Sequence, residues 1–335
     1  MILDNNIDKF ETNILMQINH ILEQKHNNRT LSEMSFTDRS FLNGIIRKLK
    51  PNKILEIGLA AGGSSAIILN AIKDFENSTL YSIDYNTKYY QDNSKNTGFI
   101  VNDYLPELKN KWNLYTGGVS AKFIEDIGNN IDVCLLDTMH CNPGEILDFL
   151  TVLPYLKENA ILILHDTLLY AMEPYIYNFR YGCTTNGTLF SAIKGKKIYP
   201  NEGHFGNFGN IGAIILDSDI KDRVFDYIYL LTLPWSYLPT DLDIMYFQKL
   251  FSKNYDAKIN EYFNGIVLGN SKNFIEMRKT NELNNSFNNK LSDFDNKFIS
   301  FDNKLNLIDN KLNSLINKLA WWIPIKKLEI NSEMI

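Results

Sequence analysis

The sequence predicts a doubly wound α/β domain with a mostly parallel sheet, followed by a C-terminal coiled-coil helix. From Lys53 onward, short apolar strands alternate with helical segments, and two of these strands (133–136 and 161–164) are almost entirely apolar. This alternation favours a parallel sheet, and strands of that composition are typical of one covered on both faces. A heptad repeat near the C-terminus predicts the coiled coil.

Length and composition restrict the function classes. The 335 residues can form one large domain with an appendage. The net charge of −5, without a basic stripe, argues against a nucleic-acid partner. Three cysteines without CxxC spacing argue against a disulfide framework or a structural zinc site. The polar N-terminus lacks the features of a secretory signal, and no apolar run reaches the ~20 residues of a membrane span. We therefore expect a cytoplasmic protein.

The elements can be placed along the chain from their apolar periodicity. Helices are predicted over 7–25, from a cap at Thr37-Asp38 to about Leu49, over 64–75 and over 145–156, and strands over 54–57, 80–83, 112–115, 133–136, 161–164 and 211–216. The predicted organisation is a helical lead-in (1–36), a domain (37–270) with a lid-like insert (168–210) and a helical cover (217–265), a coiled coil (271–320) and a tail (321–335).

A glycine-rich turn between the first strand and the next helix predicts a cofactor site. It reads Glu-Ile-Gly-Leu-Ala-Ala-Gly-Gly-Ser-Ser over 56–65. A phosphate-binding P-loop would need lysine where Ser64 stands, and the dinucleotide fingerprint would need glycine in place of Ala60. The remaining pattern of Glu56, Gly58 and Gly62 suits a ligand that carries an amino acid and a sulfonium instead of phosphates. The alternative is a tight strand-to-helix turn with no ligand.

Asp84 strengthens the cofactor interpretation. It ends the second predicted strand, where a carboxylate can accept hydrogen bonds from both hydroxyls of a ribose.

With Ser82-Ile83-Asp84, the turn resembles class I S-adenosylmethionine (SAM)-dependent methyltransferases over residues 37–216. The resemblance implies a Rossmann-like methyltransferase fold in which Gly58 and Gly62 lie under the methionine portion and Glu56 lies beside its amino group. Asp84 would hold the ribose, and residues 117–120 would flank the adenine. The implied cofactor site comprises Glu56, Gly58, Ala60, Gly62, Ser64, Asp84, Gly118 and Ser120.

Polar residues follow the fourth and fifth predicted strands, at the sheet edge where ligands of such folds bind. Asp137 and His140, followed later by His165 and Asp166, resemble the branch of metal-assisted sugar O-methyltransferases of macrolide pathways. That resemblance makes Asp137 and Asp166 metal ligands and His140 the catalytic base, assisted by Asp137.

His165 departs from that branch, which carries Glu at this position. We place His165 with Asp137 and Asp166 as a third ligand. Because magnesium prefers oxygen ligands, a softer divalent metal, or none, remains open. The alternatives are a strand-end hydrogen bond for His140, and a helix cap or a supporting pair for His165 and Asp166.

The predicted activity is O-methylation of a sugar or a sugar-like small molecule, supported by a histidine base and divalent-metal assistance. One alternative is methylation of another small nucleophile, an amine or a phosphate-type oxygen. Another is a non-catalytic coiled-coil interaction protein on a methyltransferase scaffold.

The C-terminal heptad predicts a parallel homo-oligomer. Its a and d positions are Leu291, Phe294, Phe298, Phe301, Leu305, Ile308, Leu312, Leu315 and Leu319. The e positions carry Asp295, Asp302 and Asp309, and the g positions carry Lys297, Lys304, Lys311 and Lys318. Parallel packing sets g against e of the partner, and therefore lysine against aspartate. The alternative is one long helix folded back on its own domain.

The tail pairs Trp321-Trp322 with Lys326-Lys327, which suits contact with a membrane surface. The enzyme would then lie at the inner face of the membrane, beside the biosynthesis of surface polysaccharide. The alternative is that the tail caps the coil or packs against a partner subunit.

Overall fold

The computed structural model describes residues 3–4, 6–27, 29–169, 185–201 and 209–320. The chain divides into two compact units, Met1–Phe274 and Ile275–Ile335. The predicted tail at 321–335 and much of the predicted insert at 168–210 lie outside the described residues. The domain boundaries and the membrane contact given above therefore stay predictions.

The first unit is built on a seven-stranded sheet. Its strands are β1 (Lys53–Ile57), β2 (Thr79–Asp84), β3 (Trp112–Thr116), β4 (Ile131–Leu136), β5 (Leu156–His165), β6 (Gly195–Ile198) and β7 (Ile211–Leu216). Their spatial order is β3-β2-β1-β4-β5-β7-β6. Strands β1 to β5 are mutually parallel, and β7 is antiparallel to both of its neighbours. This order confirms the predicted doubly wound, mostly parallel fold.

Helices connect and cover these strands. In the described residues they are α1 (Thr12–Leu22), α2 (Phe36–Leu49), α3 (Gly63–Ile72), α4 (Phe99–Tyr104), α5 (Ser120–Ile127), α6 (Gly144–Val152), α7 (Thr185–Ala192), α8 (Val224–Ile228), α9 (Asp241–Asn254) and α10 (Ala257–Ala320). Short 3₁₀ segments are Ile7–Lys9, Pro106–Lys111, Leu153–Tyr155, Ile220–Arg223 and Tyr229–Thr232. Two small hairpins pair Lys25–His26 with Arg29–Thr30, and Lys88–Tyr89 with Asp92–Asn96.

Both faces of the sheet are buried, as the apolar strands predict. In β1, Ile54 packs with α1, α2 and α3 on one face, whereas the adjacent Leu55 packs with α5 and α6 on the other. Both side chains are fully buried. Because successive strand residues point to opposite faces, a strand covered on both sides is apolar at most of its positions. The carboxyl ends of the strands therefore carry the polar chemistry.

The second predicted helix begins slightly earlier than its sequence signal suggests. Ser35, rather than Thr37-Asp38, is the N-cap of α2, and its hydroxyl accepts a hydrogen bond from the Asp38 N–H at 3.2 Å. Asp38 is the third helical residue, and its carboxylate accepts from the Ser35 N–H, completing a capping box. The Asp38 side chain is thereby fixed in the first turn.

Residues 168–210, predicted as a lid-like insert, include regular structure. The described part contains α7 and the edge strand β6, which pairs antiparallel with β7. Lys196 and Lys197 give β6 a polar sequence, which is typical of an edge strand protected against further pairing. The apolar-run criterion missed this strand because edge strands do not need to be apolar.

In the second unit, α10 presents its predicted a and d residues to solvent. From Leu291 to Leu315 these side chains are between 48% and 65% exposed. No helix among the described residues combines the length and the apolar character that a membrane crossing requires.

Candidate active site

The glycine turn has a backbone shape that its sequence requires. Gly58 and Gly62 have φ of +85° and +95°, in the left-handed region that favours glycine. A Cβ on Gly58 would lie 1.9 Å from the carbonyl oxygen of Asp137. The turn is therefore packed directly against the end of β4, and no larger residue fits at Gly58.

Asp84 lies against this turn, as its position predicts. Its Oδ2 accepts hydrogen bonds from the N–H groups of Leu59 (3.1 Å) and Ala60 (3.0 Å), and its Oδ1 accepts from Asn86 N–H at 2.8 Å. Ala60 itself has a left-handed φ of +48°. Because a carboxylate offers about four acceptor positions, these three bonds leave about one for a ligand hydroxyl.

Glu56 faces the interior beneath the turn. Its side chain has no solvent-accessible surface, and its Oε2 accepts hydrogen bonds from the hydroxyls of Ser65 and Ser82, both at 2.6 Å. Burial raises the pKa of this carboxyl to about 7, although the serine hydroxyls partly oppose the shift. Oε1 has no hydrogen-bond partner among the described residues. Glu56 thus supports the turn from below and offers no accessible surface to a ligand.

The predicted adenine-flanking segment is tied to α6. The Ser120 hydroxyl donates to Asp148 Oδ1 at 2.5 Å, and the Thr138 hydroxyl donates to Oδ2 of the same carboxylate at 3.0 Å. Asp148 therefore joins the loop after β3 to the loop after β4, and burial raises its pKa to about 7. Gly118 lies in the loop, and Ser64 lies buried in the first turn of α3.

Three partly exposed side chains converge at the ends of β4 and β5. Asp137, His140 and Asp166 each offer a ligand atom, and these atoms lie within 4.8 Å of one another. His140 Nε2 is 3.1 Å from Asp166 Oδ2 and 3.8 Å from Asp137 Oδ1. We call these three residues the front cluster.

Each member of the front cluster is held by a buried residue behind it. Asp137 Oδ1 lies 3.2 Å from His165 Nδ1, and His140 Nδ1 lies 3.3 Å from Glu145 Oε1. The Asn210 amide donates to Asp166 Oδ1. His165, Glu145 and Asn210 are all nearly inaccessible to solvent. Paired in this way, the front side chains are oriented before any ligand arrives.

The carboxylates control the charge of both histidines. Burial alone would lower the pKa of His140, but Glu145, Asp166 and Asp137 raise it to about 9. Burial likewise opposes the charge of His165, while Asp166 and Asp137 raise its pKa well above the usual value. Burial would raise the pKa of Asp137, but the two histidines hold it below its ordinary range. The surroundings therefore favour the protonated form of both imidazoles and the ionised form of Asp137.

His165 does not share the exposed position expected of a third metal ligand. Its side chain is 5% exposed, with Nδ1 toward Asp137 and Nε2 3.7 Å from Asp38 Oδ2. His140 completes the accessible group instead. The reason is the alternation of the strand: His165 is the last residue of β5, whereas Asp166 follows with a left-handed φ of +55° that turns the chain.

Residues 55–167 match a family described as a methyltransferase domain. The chain carries a methyltransferase domain. The match spans β1 to the end of β5 and includes the glycine turn, Asp84 and the front cluster. It agrees with the class I resemblance drawn from the turn.

Solved structures similar to this methyltransferase are remote. The O-methyltransferase TomG of Streptomyces achromogenes, involved in tomaymycin synthesis and bound to SAM, is 12% identical, with 64% of this chain and 100% of that chain covered and a TM-score of 0.42. An O-methyltransferase from Bacillus cereus in complex with SAH is 15% identical, with coverages of 64% and 92% and a TM-score of 0.42. A Podospora anserina methyltransferase bound to SAH is 15% identical, with coverages of 61% and 88% and a TM-score of 0.43. No curated protein matches the sequence.

Several residues of the methyltransferase site were not predicted from the sequence. Asn210 directly precedes β7, so the rule that polar residues at strand ends matter could have found it. Glu145 lies in the first turn of α6, where acidic residues are common, so its position did not indicate a role in the site. Asn186 donates to the backbone oxygen of His165 at 2.7 Å, and no local pattern marks it. The sequence around Asp38 indicates only a helix cap.

Proposed function

We propose that this methyltransferase transfers the methyl group of SAM to a hydroxyl oxygen of a sugar or sugar-like small molecule. The observation that carries the proposal is the front cluster, an accessible group of two carboxylates and one imidazole next to the glycine turn. The contact between Gly58 and the Asp137 backbone places the cluster and the turn side by side. Such a polar, acidic site suits an acceptor that carries hydroxyl groups.

The turn suits a SAM cofactor. It leads into the N-terminus of α3 through two glycines with left-handed φ, it lacks the lysine of a P-loop, and Asp84 keeps acceptor capacity for a ribose hydroxyl. Because Glu56 is inaccessible, we assign it to supporting the turn and not to direct contact with the amino group of the cofactor. Asp148 has a corresponding supporting role under the adenine side.

The front cluster also suits a divalent cation. Asp137 and Asp166 supply the hard oxygen donors that cations such as Mg²⁺ and Mn²⁺ prefer, and the His140 imidazole lies beside them. A divalent cation held there would supply positive charge that lowers the pKa of an acceptor hydroxyl and of the neighbouring imidazole. The chemistry of the donor set therefore agrees with metal assistance.

His140 has the position of the catalytic base, with its proton affinity set by the surrounding carboxylates. With a pKa of about 9 in the isolated site, its imidazole is protonated at neutral pH and cannot accept the acceptor's proton. A base role therefore requires that the negative charge of Glu145, Asp166 and Asp137 around the imidazole be compensated during the reaction. In the transfer, the acceptor oxygen forms a bond to the methyl carbon, the sulfonium–carbon bond breaks, and the hydroxyl proton passes to His140.

A turnover screen tests this function. The purified protein is incubated with methyl-labelled SAM and a set of nucleotide-linked sugars, with and without EDTA. We expect labelled product that requires the divalent cation, loss of turnover with retained cofactor affinity in His140→Ala, and loss of cofactor affinity in Asp84→Ala. His20→Ala, on the exposed side of α1, is the control and should behave as the parent.

Different outcomes would support the alternatives. Transfer to amines or phosphate-type oxygens, but not to sugars, would replace the acceptor class and leave the cofactor site intact. If calorimetry shows that the protein does not bind SAM, the result would favour a non-catalytic interaction protein on a methyltransferase scaffold.

We also propose that α10 forms a parallel coiled coil with other copies of the chain. The described a and d side chains from Leu291 to Leu315 are about half exposed or more, which is a large apolar stripe for a helix in water. Its flanks carry complementary charges, so that Lys297 of one copy meets Asp302 of another in parallel register. The stripe and its flanking charges together favour a second copy as the occupant of this face.

A further inference from the structure

Asp38 approaches the active site from outside the family-matched residues. It lies in the first turn of α2, 17 residues before the match begins at residue 55, and its side chain is buried. Its Oδ2 is 3.7 Å from Nε2 of His165. A charged group this close to the site, on a helix outside the family-matched residues, needs a structural or functional reason.

His165 connects Asp38 to the front cluster. Its Nε2 faces Asp38, and its Nδ1 faces Asp137 Oδ1 at 3.2 Å. The imidazole ring thus lies between two carboxylates that belong to segments about 100 residues apart in the sequence. Turning the ring would break its contact with Asp137, and the carboxylate of Asp38 favours the orientation in which Nε2 points toward α2.

The anchor at the far end is itself fixed. Asp38 Oδ2 accepts hydrogen bonds from the Ser35 hydroxyl at 2.7 Å and from the Ser35 N–H at 3.1 Å. On the other side, Asn186 donates to the backbone carbonyl of His165 at 2.7 Å. Both the ring and its backbone are therefore held by residues outside the family-matched span.

We propose that Asp38 is a positioning residue of the active site: acting through His165, it holds Asp137 in the orientation that binds a divalent cation. This role rests on the proposed cation-assisted function. It makes α2, which precedes the family-matched residues, a working part of the methyltransferase site. It also gives His165 a role in a metal site. The His165 ring orients the ligand Asp137 and is not itself a ligand.

The test compares Asp38→Asn with Ser35→Ala. Both changes disturb the capping box, but only Asp38→Asn removes the carboxylate that faces His165. Calorimetric titration of the full-length protein with Mn²⁺ should show about tenfold weaker binding in Asp38→Asn, as is usual when the partner of a ligand is removed. Ser35→Ala should weaken Mn²⁺ binding much less, because its backbone N–H still donates to Asp38 Oδ2 and the carboxylate remains. Equal weakening in both variants would mean that Asp38 serves only the helix cap, and would overturn the proposal.

A second comparison tests the mediation by His165. In a His165→Asn background, Asp38→Asn should cause no further loss of Mn²⁺ affinity, because the connecting ring is already absent. Additive losses would show that Asp38 acts by another route. If the parent binds SAM but not Mn²⁺, both the cation assistance and the role of Asp38 are overturned, while the methyl-transfer function stands. If the parent binds both and Asp38→Asn binds Mn²⁺ unchanged, only the positioning role fails.

Discussion

Glu56 lies buried in β1, directly beneath the glycine turn. The sequence resemblance placed it beside the amino group of the cofactor. The structure gives it two serine hydroxyls as partners and no accessible surface. Burial favours the uncharged form of this carboxyl and raises its pKa to about 7. Its contribution to the protein should therefore appear in the pH dependence of stability.

Replacing Glu56 by Gln should remove a pH-dependent penalty on folding. In the unfolded chain the carboxyl ionises near its ordinary pKa of 4.5, whereas in the folded protein it stays protonated up to about 7. Stability contributed by the neutral carboxyl is thus fully present below pH 4.5 and is lost as the pH rises through 7. This shift in the pKa of Glu56 corresponds to a loss of at most about 3 kcal/mol in the free energy of unfolding. Urea unfolding at pH 5 and at pH 7.5 measures the effect.

The stability of Glu56→Gln relative to the parent should therefore be greater at pH 7.5 than at pH 5. Glu125→Gln, at an exposed surface position, is the matched control and should show no such gain. A Gln variant with the same pH slope as the parent would mean that Glu56 is ionised in the folded protein.

Sequence alone located the reactive residue types but not their partners. Asp137, His140 and Asp166 were found because they follow apolar strands, and a strand end in a doubly wound sheet is a defined place. The orientation of His165 depends on Asp38, and the pKa of His140 depends on Glu145, Asp166 and Asp137 together. These pairings depend on distances across the fold, which a local pattern does not contain.

At the scale of elements, the turn from β1 to α3 depends on the absence of a side chain at Gly58. Gly58→Ala should destabilise the protein by more than about 3 kcal/mol, because the residue has φ +85° and the new Cβ would lie 1.9 Å from the Asp137 carbonyl oxygen. Thermal unfolding and SAM calorimetry measure the two expected losses.

Gly265 supplies the matched control. It lies inside α10, and a Cβ built on it meets nothing within 4 Å. Gly265→Ala should therefore stabilise the helix by about 1 kcal/mol and leave cofactor affinity unchanged. Equal tolerance of alanine at Gly58 would contradict the tight contact between the turn and β4.

The sequence predicted five of the seven strands, β1 to β4 and β7, to within two residues at each end. Strands β1, β2 and β4 are buried on both sides, so their apolar runs mark them almost to the residue. Strand β5 begins at Leu156, five residues before its predicted start, because Lys157, Glu158 and Asn159 form a polar, irregular beginning in which Asn159 has φ +58°. The edge strand β6 was not predicted for a similar reason. Its two lysines make it polar, so a search for apolar runs does not detect it.

At the scale of the whole molecule, α10 should determine the state of assembly. Deleting residues 275–335 should give a monomer that retains the parent's affinity for SAM, whereas the full chain should sediment as an oligomer at micromolar concentration. Analytical ultracentrifugation of both proteins measures this difference. A full-length protein that sediments as a monomer would favour a helix folded back on its own domain.

The direction of the coil can be measured separately. Leu312→Cys places a thiol at an a position, which in a parallel, in-register coil lies opposite the same residue of the partner copy. Mild oxidation should then crosslink two chains at this position. Lys304→Cys, at a flanking g position, is the control and should crosslink less. Crosslinking that is no better at 312 than at 304 would argue against parallel packing.

The antiparallel strand β7 has a consequence for the order in which a working site can form. Because β7 runs opposite to β5, its beginning lies beside the end of β5, and there Asn210 donates to Asp166 and accepts from the N–H groups of Thr167 and Leu168. A nascent chain that has reached residue 167 already contains the whole family-matched stretch, yet it still lacks the amide that fixes Asp166. During synthesis, the protein can thus acquire its cofactor turn well before it acquires a finished reaction centre.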